Sequence, residues 1–431
     1  MNFIKTSSIR KQNQYLLPMI IISALFFIFG FVTWLNGILI PYLKIACQLN
    51  DFQALFVAFA FYISYTIMAL PSAWVLKKTG LKNGMMIGLW IMAAGTAIFI
   101  PAAFIRAYTV FLSGLFVMGT GLAILQTASN PYVTIMGPQK SAAKRISILG
   151  IANKAAGAIA PLILAYYILN DGDAFVANLA TLDTHAQTIA LNELALRVIN
   201  PYLVMTLVLF LLGLIVRFSR LPELEMEQET KDENINMETK TNIFQFPHFI
   251  LGVIALFFYV GVEVIAGDTI VNYGLSLGIE MSKAKAFTSY TLGTMILGYI
   301  LGIILIPKTI SQQFALQISA GTGVLFALCA IFSSGITSVI FVALFGLSNA
   351  LVWPAIWPLA LHNLGRFIKT GSAMLIMAIS GGAVLPLFWG KLSDVFGPQN
   401  AYWIVIPGYL VILFYSVKGY KMKNWTKNID I

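Results

Sequence analysis

Charge is what this sequence has least of. Asp, Glu, Lys and Arg make up only 10% of its 431 residues, against 59% hydrophobic residues and a mean hydropathy of +0.84. An ordinary soluble domain carries about 25% charged residues, so this balance excludes a water-soluble globule. Cysteine is nearly missing too. Cys47 and Cys329 lie far apart, in or beside apolar segments, and define neither a disulfide framework nor a thiolate metal site. There are three histidines, and no HExxH, GxSxG or clustered His/Asp pattern appears. Neither an enzyme nor a metal or other cofactor is therefore expected.

What the chain does have is long apolar runs of the length that crosses about 30 Å of hydrocarbon. The first six are 16–40, 52–75, 85–105, 110–136, 146–169 and 201–216. Six more follow at 249–274, 288–306, 316–333, 339–362, 374–390 and 402–417. The first run is too long for a signal peptide and lacks a small-residue cleavage site. Between the two groups "RLPELEMEQETKDENINMETKTN" is charged throughout and has no apolar face, as a solvated linker would be. The expected architecture is an all-α membrane protein with twelve transmembrane helices in two six-helix halves. The halves cover residues 1–217 and 245–431, with a linker at 218–244.

Loops joining twelve spans must alternate between the two sides. One side, with both termini, "LKKTGLK", "GPQKSAAKR", the linker, Lys308 and "LGRFIKT", collects 20 of the 27 Lys and Arg residues. Basic residues gather in the cytoplasm, so both termini are expected there. The net charge of +10 reflects this asymmetry and gives no reason to expect nucleic acid as a partner. The segment from Asp171 to Glu193 is expected to be an external loop.

Several motifs resemble one family. "FFIFGFVTWLNGILIPYLK" in span 1, "LQTASNPYVTIMGP" in span 4, "YVGVEV" in span 7, "SNALVWPAIWPLAL" in span 10 and "GKLSDVFG" after span 11 are similar to the fucose–galactose–glucose:proton symporter family. The resemblance implies the major facilitator fold, in which two halves rock about a midplane site. It further implies secondary active import of a monosaccharide across a bacterial inner membrane. The substrate would be a hexose such as glucose, galactose, mannose or fucose, or N-acetylglucosamine. "RISILGIANK" resembles the branch associated with glucose, galactose or N-acetylglucosamine. The expected partners are the monosaccharide, a proton or sodium ion for coupling, and the lipid bilayer, with the chain acting as a monomer. Two alternatives stay open, an uncoupled sugar facilitator and a membrane sugar-sensing receptor.

Two departures from the family pattern stand out. Gly37 and Gln126 occupy positions where proton-coupled members carry acids, and neither residue can exchange a proton. The charged residues inside apolar spans then become the candidates for coupling or gating: Lys154 in span 5, and Glu263 and Asp268 in span 7. Lysine at a helix centre costs about 2.5–3.5 kcal/mol on insertion scales, which marks Lys154 as functional by default. Glu263 is the deeper acid, and Asp268 is expected near the outer end of its helix within reach of water.

Sugar recognition calls for neutral donors and acceptors with an aromatic face. The candidates for substrate contact are Asn36, Gln126, Asn153, Lys154, Asn272 and Asn349, with Trp353 and Trp357 as stacking or gating rings that share a helix face. Asn130, preceding Pro131, is expected to serve the bend in its helix. His248 and His362 are expected at the cytoplasmic interface.

Overall fold

A computed structural model describes residues 2–135, 142–219, 241–306 and 309–425. The expected linker lies for the most part outside them. Eleven helical segments among the described residues are long and apolar enough to cross a membrane. One of these, Asp51–Ile105, has 55 residues, nearly three times what a bilayer requires. It is two crossings folded back at Gly80, whose φ of 75° and ψ of 170° interrupt the helix. A side chain there would be strained, so glycine marks the turn. Twelve crossings result.

Several crossings are broken, which the apolar runs did not foretell. Span 1 stops at Trp34 and restarts at Asn36. Span 7 divides into Pro247–Asp268 and Ile270–Ser276 on either side of Thr269. Span 10 divides into Gly335–Asn349 and Val352–Leu361. Each break stands beside one of the candidate amides or acids. The freed backbone groups find side-chain donors: the Thr288 hydroxyl donates to the Gly267 carbonyl at 2.7 Å. Irregular backbone is tolerated at membrane depth only where such partners exist.

The segment expected as an external loop is largely helical instead, with helices Gly172–Leu179 and Thr184–Leu196. Asp183 caps the second by accepting from the Ala186 amide at 2.7 Å. Its Ala, Leu and Gln residues are good helix formers, so polarity alone was a poor guide. Apolar side chains such as Leu203, Val204 and Leu207 of span 6 remain exposed on the outside of the bundle, where lipid would cover them.

At the end of the bundle away from the two chain termini, carboxylates tie early segments to late ones. Asp173 accepts from the amides of Met281 and Ser282, at 2.6 and 3.0 Å. Asp394 accepts in the same manner from Asp51 and Phe52, at 3.1 and 3.2 Å. The Ser393 hydroxyl donates to Asp51 at 2.7 Å. Each carboxylate meets amides at the start of a helical turn, where N–H groups have no internal partner. This end of the bundle is closed. At the other end His248, the second residue of its helix, is buried against protein and a ring nitrogen hydrogen-bonds the His362 carbonyl at 2.8 Å.

A buried polar centre between spans 1, 5 and 7

Lys154 does not stand alone in its apolar helix. Its Nζ lies 2.9 Å from Glu263 Oε1, joining span 5 to span 7, and the two side chains are only 10% and 12% exposed. The same ammonium sits 4.5 Å from the centroid of the Trp34 ring. A cation over an indole face gains a further electrostatic attraction when water is excluded. Lys154 is therefore balanced by an anion and a ring, which is how a charge survives at this depth.

Trp34, absent from the candidates drawn from the sequence, is what holds this arrangement. The ring is wedged between spans 5 and 7. A Cβ added at Gly157 would fall 2.3 Å from its Cδ1, and one at Gly267 would fall 2.2 Å from its Cζ3. Only glycine leaves room for the indole at both positions. A tryptophan next to the "LNG" motif and a glycine one turn beyond Lys154 were the available signals, but neither carries chemistry of its own.

A tyrosine shell surrounds the pair. Tyr259, Tyr299 and Tyr409 lie within electrostatic reach of Glu263. Tyr62 senses both Glu263 and Asp268. Through these rings two candidate amides join the centre. Gln126 Nε2 donates to the Tyr65 hydroxyl at 3.2 Å, and Tyr65 stacks beside Tyr62 with centroids 6.4 Å apart. The Tyr409 hydroxyl donates to Asn349 Oδ1 at 3.1 Å. Asn153 commits one amide hydrogen elsewhere, donating to the Phe26 carbonyl of span 1 at 3.2 Å.

The amides Asn36 and Asn272 are buried, at 1% and 7% exposure. Among the described residues their Nδ2 atoms have no hydrogen-bond acceptor, and the same is true of Asn349 Nδ2 and Trp34 Nε1. Asp268 corrects the expectation of a water-exposed helix end. It is wholly buried, and neither carboxyl oxygen has a hydrogen-bond partner among the described residues. The break at Thr269 keeps the next turn of span 7 packed inside the bundle, so the helix end is no route to solvent. Trp353 and Trp357 share a face as expected, but they stack on each other at 5.2 Å and 23°, which occupies one face of each ring. The side chain of Asn130 lies outside the described set.

A cavity of about 310 Å³ opens beside span 7, lined by residues that include Thr66, Phe257, Met374 and Met377. Its walls are almost wholly apolar and offer few hydrogen-bonding groups.

Twelve helical crossings, broken helices at the centre and an ion pair in the core are the organisation of a polytopic helical membrane protein with a polar centre. Residues 22–384 match the family model described as Major Facilitator Superfamily. A glucose/galactose transporter of Brucella abortus is 34% identical over 414 residues, covering 95% of this chain and 96% of the relative. The L-fucose-proton symporter of Escherichia coli is 29% identical, with 90% and 89% covered. A crystal structure of the E. coli fucose:proton symporter superposes with a TM-score of 0.71 at 27% identity, covering 93% of this chain and 98% of the other. The chain belongs to the fucose–galactose–glucose transporter family of the Major Facilitator Superfamily.

Proposed function

We propose that this chain imports a monosaccharide of the glucose or galactose class across a bacterial inner membrane by alternating access, coupled to proton entry. The observation that carries the reading is the set of buried N–H donors without an acceptor among the described residues: Trp34 Nε1 and the Nδ2 atoms of Asn36, Asn272 and Asn349. A buried donor left unpaired costs about 1–3 kcal/mol. Pyranose hydroxyls are acceptors of the right kind to relieve that cost, and they carry no charge to disturb the ion pair. The substrate names of the Brucella and E. coli relatives support the sugar class, and the latter supports the proton.

In this reading the halves run over 1–217 and 245–431, joined by a linker at 218–244 on the cytoplasmic side with both termini. Asn36, Gln126, Asn272, Asn349 and Trp34 contact the sugar. Asn153 holds span 5 to span 1, and the Trp353–Trp357 stack stiffens the broken span 10. The Lys154–Glu263 pair acts as a gate, closing when spans 5 and 7 approach and parting when they separate. The chain works as a monomer and as a carrier, not as a catalyst.

Uptake of labelled glucose and galactose into proteoliposomes tests the proposal. Saturable uptake, concentrated by an inward proton gradient, is the expected result. Binding without flux would make the protein a receptor. Flux that never exceeds equilibration would make it an uncoupled facilitator.

A further inference from the structure

Span 7 carries two acids five residues apart, and they meet opposite circumstances. Glu263 has Lys154 at 2.9 Å. Asp268, fully buried, has no donor or cation at either oxygen among the described residues. It is the last residue of the first half of span 7, immediately before the break at Thr269. Its neighbour Gly267 is in contact with the edge of the Trp34 ring. An ionised carboxylate in such a place would be uncompensated, because the one lysine of the centre is already committed to Glu263.

We propose that Asp268 is the site that binds and releases the coupling proton. The carboxyl is neutral in the closed arrangement described here. It takes up a proton when water reaches it from one side and returns that proton to water on the other. Charge and mass balance without another reactant: one proton bound outside is one proton released inside, and one sugar accompanies it. This assignment rests on the proton-coupled reading above.

The surroundings favour a proton over a metal cation. Asn272, one turn further along the span, and Trp34 against Gly267 each present an N–H without an acceptor. An N–H of this kind can donate to a carboxyl oxygen and cannot coordinate a cation. The titratable groups that act on Asp268 are Glu263 on its own span and Tyr62 from span 2. Lys154 reaches the cluster from span 5 but bonds to Glu263. The adjacent Thr269 hydroxyl is occupied by the Ile265 carbonyl and by Tyr402 of span 12. Glu263 is thus engaged by Lys154 at 2.9 Å, and Asp268 is the acid of span 7 that lacks a partner among the described residues.

Asp268→Asn removes the titratable group and keeps its shape. In proteoliposomes with an inward gradient of one pH unit, one proton per sugar sustains about tenfold accumulation. The wild type is expected to approach that ratio. Asp268→Asn is expected to reach only equilibration while still exchanging labelled for unlabelled sugar, and Asp268→Glu is expected to restore accumulation. A pH dye trapped inside should report sugar-dependent acidification for the wild type and none for Asp268→Asn. If Asp268→Asn is not recovered as a folded protein, the dye signal and accumulation of Asp268→Glu decide: loss of both overturns the proposal. Accumulation by Asp268→Asn equal to the wild type would also overturn it, as would wild-type accumulation driven by sodium alone. A wild type that never accumulates sugar would instead overturn the function proposed above, which separates the two failures.

Discussion

Two ion pairs in this molecule use the same chemistry in different solvents. Away from the core, at the bundle end opposite the chain termini, Arg197 and Asp171 form an outer, bidentate pair whose second contact is 2.9 Å. Their side chains are 32% and 51% exposed. In the core Lys154 and Glu263 meet at the same 2.9 Å with 10% and 12% exposure. Similar distances do not imply similar consequences. Water and salt compete for the outer pair and leave it worth little. The inner pair is desolvated, so each charge depends on the other.

The largest expected effect of breaking that comparison lies at the core. Lys154→Met or Glu263→Gln alone strands a buried charge and should destabilise by about 3–5 kcal/mol. The double variant leaves no charge to strand and should recover most of the loss. Thermal unfolding in detergent reads both results, and equal, additive losses would show that the pair is not energetically coupled.

The next effect sharpens the role of Trp34. Gly157→Ala or Gly267→Ala drives a methyl into the indole and should cost about 1–3 kcal/mol by overpacking. Uptake should fall in parallel, since the ring that faces Lys154 must shift. Full stability and full uptake in either variant would mean the indole has room to move and does not lock spans 5 and 7.

Affinity comes third. Gln126→Ala and Asn36→Ala are each expected to weaken sugar binding by about 1–3 kcal/mol without unfolding the protein, as judged by titration of purified transporter. Unchanged affinity in both would remove them from the site.

The outer pair should matter least. Asp171→Asn is expected to change stability by at most about 1 kcal/mol, and less in high salt. The Arg197 guanidinium, through its hydrogen bonds, holds the Asp171 carboxyl below its ordinary range. A group lowered in the folded state contributes stability above its unfolded pKa of about 4 and loses it as pH falls through the folded value. The small difference between wild type and Asp171→Asn should therefore vanish in acid. A difference that grows on acidification would contradict this.

The membrane fold was legible because the length of the twelve apolar runs follows directly from the thickness of a bilayer. Lys154 and Glu263 were legible as charges out of place, though only the folded chain brings residues 109 positions apart into contact. Asp268 was misread because a position late in an apolar run was taken as an end. The break at Thr269 instead turns that end inward. Trp34 escaped notice because tryptophan is common in membrane helices, and its importance comes from two glycines on other spans. Contacts of this kind depend on how helices are packed, which periodicity within one helix does not encode.

Proton-driven sugar uptake by Lys154→Met, measured beside the wild type in proteoliposomes, tests the role of the core pair most directly. Methionine keeps much of the apolar stem and removes the charge. The expected result is uptake reduced by about tenfold or more, equivalent to at least about 1.4 kcal/mol of lost stabilisation along the transport cycle. Accumulation equal to the wild type, with the same dependence on pH, would contradict it and reduce Lys154 to packing.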